Sequence, residues 1–300
     1  MTIALLGVPT NSAGTGDGVA RAPQALRDAG LVPRLRRAGP LIDLGDVQVD
    51  APSSVRGSDG IIDPAGLAAT LARVRAQTAA AVRAGHRPLV VGGDCPIVIG
   101  TLAGCADVSG TPPGLVFVDG HQDAWPPHAS TTGEAADMEL GLLFGRSIDG
   151  VESSFRTQIP RLDPSRVAIL GARDRAELAE AGVESLEGTV SLLDDAAVGA
   201  DPAGVASEAV RRVASPDSGW WLHVDLDVLS SDALPAIDYR QEGGLSWADL
   251  TELTHSAISA GGCLGATVTI FNPDLDPDGR YALAIVEFIG GLADDLETKA

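Results

Sequence analysis

One feature constrains this chain more than any other: short apolar runs of strand character alternate with Ala-rich segments of helical period along the whole sequence. That alternation is the pattern of a parallel sheet covered on both faces by helices. The clearest strands are expected at residues 3–7, 88–91, 114–118, 167–170, 221–224 and 266–270, and helices at 64–84, 176–181, 201–214, 246–260 and 282–292. Asp201-Pro202 reads as an N-cap followed by a first-turn proline. Several strands run straight into polar or charged residues. The Gly/Pro/Ser-rich stretches 9–17 and 126–133 then fall on the C-terminal side of strands, where open α/β sheets place their sites. No internal repeat or linker divides the chain, so residues 1–300 are expected to form one domain.

Composition narrows the function. A formal net charge of -20 repels nucleic acid and anionic membrane surfaces, and it attracts small cations or divalent metals. An acidic surface that merely maintains solubility is the other reading of the same charge. The start MTIALLGVPT lacks a basic, apolar leader, and no stretch reaches the roughly 18 apolar residues of a membrane span. A soluble, cytoplasmic protein is expected. Cys95, Cys105 and Cys263 have no paired spacing, so reduced thiols are expected rather than a disulfide framework.

Two clusters carry the chemistry. The run Val116-Phe117-Val118 enters Asp119-Gly120-His121-Gln122-Asp123, an alternating D-x-H-x-D whose ligand-type side chains would share one side of an extended chain. The run Trp220-Trp221-Leu222-His223-Val224 enters Asp225-Leu226-Asp227 in the same way. A lone D-x-D is ordinarily explained by an aspartate capping the next helix. Two such clusters at the ends of apolar strands are not, because five ionisable groups beside buried strands are costly unless cations compensate them. Carboxylates with one imidazole suit Mn²⁺, Mg²⁺ or Zn²⁺, and a pair of ions sharing carboxylates can activate water.

With Gly92-Gly93-Asp94 before these clusters and Gly243-Gly244-Leu245 after them, the chain resembles the ureohydrolases: arginase, agmatinase and formiminoglutamase. Gly7-Val8-Pro9, the stretch from Ala22 to Arg27, and Asn272-Pro273 extend the resemblance to both ends. It implies a single three-layer α/β/α domain with a mainly parallel sheet, a dinuclear manganese centre, and attack of hydroxide on a guanidino or formimino carbon. It also implies a homo-oligomer, trimer or hexamer. Carried over residue by residue, Asp119 and Asp225 would bridge the metals, Asp123 would complete one site, and His121 with Asp227 would serve the other.

The sequence departs from that pattern in several places. Cys95 stands where the family presents a metal-binding His, as in the branch resembling N-hydroxyarginine amidinohydrolase; it reads either as a thiolate ligand or as a buried structural thiol. The family's proton-shuttling His falls at Ala136, its guanidinium-binding Glu at Ile270, and its α-amino-binding Asp at Ala176. Glu287 lies too far along to replace the lost Glu. His128 in the same loop is a candidate to take over the proton transfer, with Asp123 and Asp137 as catalytic carboxylates. Trp125, Thr132, Glu134 and Asp174 are candidates to bind substrate. Glu134, Asp137 and Glu139 read either as holders of a cationic substrate end or as a solvated loop face. His223, read as one residue off the D-x-D face, is expected to point into the opposite layer as a core residue. Trp220, Trp221 and Trp247 are expected to pack.

The expected function is hydrolysis of a guanidino C–N bond in a substrate other than ordinary L-arginine, N-hydroxy-L-arginine being one candidate. The alternative is a degenerate member that keeps the fold as a binding or assembly subunit.

Overall fold

The computed structural model describes residues 1–298. Eight strands, β1 (Ile3–Val8), β2 (Leu41–Asp46), β3 (Arg87–Gly92), β4 (Gly114–Val118), β5 (Val167–Gly171), β6 (Ser191–Asp194), β7 (Trp220–Asp225) and β8 (Cys263–Thr269), form one sheet in the order β2-β1-β3-β8-β7-β4-β5-β6. Every strand pairing in it is parallel. Eleven α-helices accompany it among the described residues: α1 (Ala22–Asp28), α2 (Leu31–Ala38), α3 (Pro64–Arg83), α4 (Ile97–Ser109), α5 (Glu139–Leu143), α6 (Ser153–Arg156), α7 (Arg175–Ala181), α8 (Asp195–Ala200), α9 (Pro202–Val213), α10 (Trp247–Ser259) and α11 (Arg280–Thr298).

The sheet is buried on both faces, as parallel sheets must be. Leu5, Val91, Val118, Leu222 and Val224 pack beneath α1, α2, α9, α10 and α11. Leu6, Val90, Phe117, Ile169 and Trp221 pack beneath α3, α4, α5 and α6. The three-layer α/β architecture is the one expected. So are the main helices and their caps: the Asp201 side chain accepts from Gly204 N at 3.0 Å, and Ser246 with Asp249 closes a capping box on α10. No described helix is long and apolar enough to cross a membrane.

Topology positions the site. From β3 the chain passes through α4 to β4, three places along the sheet, and later fills the gap with β7 and β8. The C-terminal ends of β3, β8, β7 and β4 therefore stand side by side at the point where the strand order reverses, the usual place for a site in such sheets. Register refines this. Val118 pairs with Val224, so Asp119 and Asp225 follow on adjacent strands; Asp225 in turn pairs with Thr269.

Gly93 anchors the β3 end of this rim. Its N–H donates to Val8 O at 3.0 Å, its carbonyl accepts from Ile270 N at 2.9 Å, and a Cβ there would lie 1.9 Å from the Thr10 carbonyl oxygen. Backbone cannot yield as a flexible side chain would. Gly93→Ala is expected to lower stability by about 1–3 kcal/mol. Gly291→Ala, in the interior of α11 with open space around the new methyl, should be neutral or stabilising by up to about 1 kcal/mol. Denaturant melts of the two variants check the contrast.

Candidate metal centre

The two clusters meet, although not by simple alternation. β4 ends at Val118, and Asp123 turns back with φ 44°, its carbonyl accepting from Leu140 N at 3.0 Å and Gly141 N at 3.1 Å. Asp119, His121 and Asp123 thus converge through a turn rather than along an extended strand. Asp119 accepts from His121 N at 2.7 Å, and Asp225 from Asp227 N at 2.7 Å, so each cluster is folded onto its own backbone. Asp227 links the two: it accepts from Gly120 N at 3.0 Å, and its Oδ2 lies 2.9 Å from His121 Nδ1. Arg173, from the segment after β5, donates to Asp227 O at 2.7 Å and holds the second cluster from behind.

Charge is concentrated where water is scarce. Asp119, Asp123, Asp225, Asp227 and Glu139 are all buried. Burial, then the charge of Asp227, pushes Asp119 up to about 7 despite His121 beside it. Burial and the neighbouring carboxylates hold Asp123 and Asp225 well above the ordinary range. For Asp227 burial acts upward as well, but the imidazole of His121 outweighs it and the carboxyl lies low. His121 answers in kind: burial opposes its charge, and Asp227 with Asp119 overcomes that and raises it well above its usual value.

Several buried polar atoms meet no hydrogen-bonding partner: Asp119 Oδ2, both Glu139 oxygens and both His223 ring nitrogens. The ligand atoms of Asp119, His121 and Asp227 lie within 4.8 Å of one another, as do those of Cys95, Asp119 and His223. Oxygen, imidazole and sulfur donors in such groups fit divalent cations, which would relieve both the repulsion and the unpaired polar atoms. Cys95 is fully buried, its Sγ donating to Asp225 Oδ2 at 2.6 Å and lying 3.0 Å from Thr269 Oγ1. Burial and the carboxylates around it, Asp225 foremost, raise the thiol strongly.

A cavity of about 110 Å³ opens over these groups. Trp125, Thr132, Glu134 and Asp137 line it, as does Ala136. Ser130 and Thr132 donate their hydroxyls to Asp137 at 2.7 and 2.9 Å, and burial raises that carboxyl to about 6. Tyr239 donates to Glu134 at 2.9 Å, and burial raises Glu134 to about 7. Eight carboxylates line the cavity, with Asp94, Glu177 and Asp238 among them, and no Lys or Arg does among the described residues. This is a wall for cations.

Four expectations need correction. His128 is exposed and does not line the cavity, so the fold does not place it where the expected proton transfer would need it. Asp174 does not line it either; its carboxylate accepts from Gln122 N and Gln122 Nε2, both at 2.9 Å, and fixes the turn between His121 and Asp123. Glu139 is no solvated loop carboxylate, being wholly buried at the start of α5 against Asp119 and Asp123. His223 lies two residues from Asp225, and residues two apart share a strand face. Its ring accordingly stacks on Phe117 at 4.7 Å, on the side of Cys95 and Asp119. Trp220 and Trp221 are core residues as expected, and Glu287 pairs with Arg34 at 3.0 Å, away from the site. Sequence reasoning missed Glu177, Asp238 and Tyr239 as lining residues, none of which carries a motif.

Comparison with known proteins accords with this geometry. The arginase family profile matches residues 1–293. The chain belongs to the arginase family. Members of that family are metal-dependent hydrolases of C–N bonds in linear amidines. Arginase of Bacillus subtilis (strain 168) is 26% identical over 97% of each chain. The N(omega)-hydroxy-L-arginine amidinohydrolase of Streptomyces lavendulae is 27% identical over 57% of this chain and 56% of its own. The solved structure of arginase from Bacillus caldovelox superposes with a TM-score of 0.82 at 26% identity, covering 97% of both chains.

The raised carboxyls of this arginase-family protein give a test by pH. Asp119 and Glu134 at about 7 and Asp137 at about 6 hold their protons more tightly folded than unfolded, where such groups titrate near about 4. The folded chain therefore binds more protons across that window, and stability falls as pH rises from about 4 through about 7. In chelator the protein should melt higher at about pH 5.5 than at about pH 8, with Mn²⁺ or Zn²⁺ restoring the loss at the higher pH. A melting temperature that rises over this window in chelator would contradict the assignment.

Proposed function

We propose that this arginase-family hydrolase cleaves the C–N bond of a guanidino substrate other than ordinary L-arginine, an N-hydroxyguanidino compound being the first candidate, with two Mn²⁺ ions as cofactor. The observation that carries the reading is the cavity itself: eight carboxylates and no Lys or Arg among the described residues, over two strand-end ligand clusters. Such ions, when bound, supply Lewis acidity and an activated water. Asp119 and Asp225, Cys95 with Asp123, and His121 with Asp227 are the residues that would hold the two ions, the first pair serving both sites and the other two pairs one site each. Asp137, held by two hydroxyls and titrating at about 6, exchanges a proton with the departing nitrogen. Glu134 offers charge to the cationic end of the substrate, with Thr132 and Trp125 as walls.

Two cavity residues support a substrate less basic than arginine. Ala136 and Ile270 line the cavity where the family resemblance leads one to expect an imidazole and a carboxylate. An N-hydroxyguanidine is less basic than a guanidine, so a wall without that carboxylate penalises it less. The proposal extends to a cytoplasmic homo-oligomer folded as one domain over residues 1–300, with neither nucleic acid nor membrane as partner, in keeping with the net charge of -20.

An assay of the released amine, ornithine from L-arginine and N-hydroxy-L-arginine (with urea and hydroxyurea as the respective co-products) and putrescine from agmatine, with Mn²⁺ or Zn²⁺ added, tests the reading. Turnover should favour the N-hydroxy compound over arginine by at least about tenfold in kcat/KM, roughly 1.4 kcal/mol of transition-state discrimination. Equal or better turnover of arginine refutes the substrate assignment. No turnover of any guanidino compound at saturating metal would instead leave a binding or assembly subunit. Asp119→Asn and Asp225→Asn should each remove several kcal/mol of charge stabilisation, about 100-fold or more in rate.

A further inference from the structure

We propose that His223 is a metal ligand, forming with Cys95 and Asp119 a buried thiolate, carboxylate and imidazole site for a borderline divalent ion such as Zn²⁺ or Co²⁺. Its basis is placement. Cys95 Sγ, a carboxylate oxygen of Asp119 and a ring nitrogen of His223 lie within 4.8 Å of one another, and all three residues are 0% exposed. They come from three adjoining parts of the sheet rim: the turn after β3, the end of β4 and the interior of β7.

His223 is costly as a packing residue alone. Its ring stacks on Phe117 with an interplanar angle of 14°, an arrangement worth about 0.5–1.5 kcal/mol. Against this, neither ring nitrogen meets a hydrogen-bonding partner, and each polar group buried unpaired costs about 1–3 kcal/mol. A Phe or Leu would keep the packing without that penalty. Asp119 Oδ2 is also unpaired, and a carboxylate oxygen of Asp119 is one of the three grouped ligand atoms. A cation resolves one nitrogen and this oxygen together. On binding, the Cys95 thiol gives up its proton to solvent, the sulfur–metal bond replaces the S–H bond, and the hydrogen bond from Sγ to Asp225 Oδ2 is exchanged for attraction to the same ion.

Sulfur and imidazole together select a different metal from an all-oxygen set. Thiolate and imidazole favour Zn²⁺ and Co²⁺ over Mn²⁺ and Mg²⁺. The inference deepens the metal-hydrolase reading and rests on it, replacing Mn²⁺ by Zn²⁺ or Co²⁺ at the site that Cys95 serves, and its readout is spectroscopic and does not need turnover.

The full-length protein, stripped with chelator, is titrated with Co²⁺ and Zn²⁺. The cobalt form should show a thiolate-to-metal charge-transfer band that Cys95→Ser abolishes, and X-ray absorption of the zinc form should show both sulfur and imidazole scattering. His223→Phe, which keeps the stack on Phe117, should fold and lose at least about 100-fold in affinity at one site, since even losing an outer-shell partner costs about 10–100-fold. Two or more imidazoles per zinc pair, falling by one in His223→Phe, would complete the case, because His121 supplies the other. Unchanged affinity and an unchanged cobalt spectrum in His223→Phe overturn the proposal. So does a parent that binds metal and turns over substrate with no thiolate band, an outcome that leaves the hydrolase reading intact. A parent that binds no divalent ion at all removes both. If His223→Phe fails to fold, the absorption spectrum of the parent decides alone.

Discussion

Mutual repulsion among buried carboxylates is the constraint around which this molecule is arranged. Asp119, Asp123, Asp225, Asp227 and Glu139 share a small volume at one end of the sheet, with His121 the one cationic side chain paired with their carboxylates among the described residues. The effective cost of each unpaired buried charge is several kcal/mol, comparable to the whole net stability of a domain, about 5–15 kcal/mol. The fold therefore accepts local instability at the rim and offsets it with an extensive apolar core on both faces of the sheet. Loops tied to the rim add to this: Asp94 accepts from Ser12 N at 2.6 Å, and Asp238 from Asn272 Nδ2 at 2.7 Å. These carboxylates form the outer part of the same acidic wall.

The parallel sheet turns that constraint into geometry. Parallel strands share a direction, so their C-terminal ends gather on one edge, and the late insertion of β7 and β8 between β3 and β4 brings four ends together. Each end contributes a different chemistry: thiol after β3, aliphatic side chain after β8, and carboxylates at β7 and β4. Positions on strands are fixed by register and burial, whereas positions on loops are fixed by hydrogen bonds. Asp119 and Asp225 belong to the first kind, and Asp123, held by Leu140 N and Gly141 N, to the second.

What could be read from the sequence follows the same division. The central strands are apolar throughout and bounded by polar residues, so they stood out, and their terminal carboxylates with them. The edge strands did not: β2 reads Leu-Ile-Asp-Leu-Gly-Asp and is largely exposed, and β6 is short and only half-buried, so neither has the apolar run that marks a strand. Helix α4 was hidden for the opposite reason. Residues 97–105 are all buried, and apolar but for Thr101, leaving no periodic stripe. Around the site, alternation placed Asp119 correctly but had no purchase on Asp123, where the backbone leaves extended geometry. It would have placed His223 beside the site had the two-residue period been applied to it. Glu139, Tyr239 and Glu177 reach the centre through tertiary packing, which no local pattern encodes.

Backbone conformation adds a last step. Among the described residues five other than glycine have positive φ, and three of them, Asp123, Tyr239 and Ile270, line the cavity. An L-residue in the left-handed region costs roughly 1–2 kcal/mol, and a β-branched one sits there least easily. Ile270 holds φ 68° all the same, with its N–H bound to Gly93 O at 2.9 Å. Glycine or asparagine would meet the backbone demand more cheaply, but glycine would leave the wall open and asparagine would add a polar group needing a partner. An isoleucine there closes one side of an otherwise acidic cavity with apolar surface. Bound charge is then drawn toward Glu134, Asp137 and the strand-end carboxylates, leaving the Ile270 side to a part of the substrate that carries little charge. A wall divided in this way is the physical counterpart of the proposed preference for a weakly basic guanidino group.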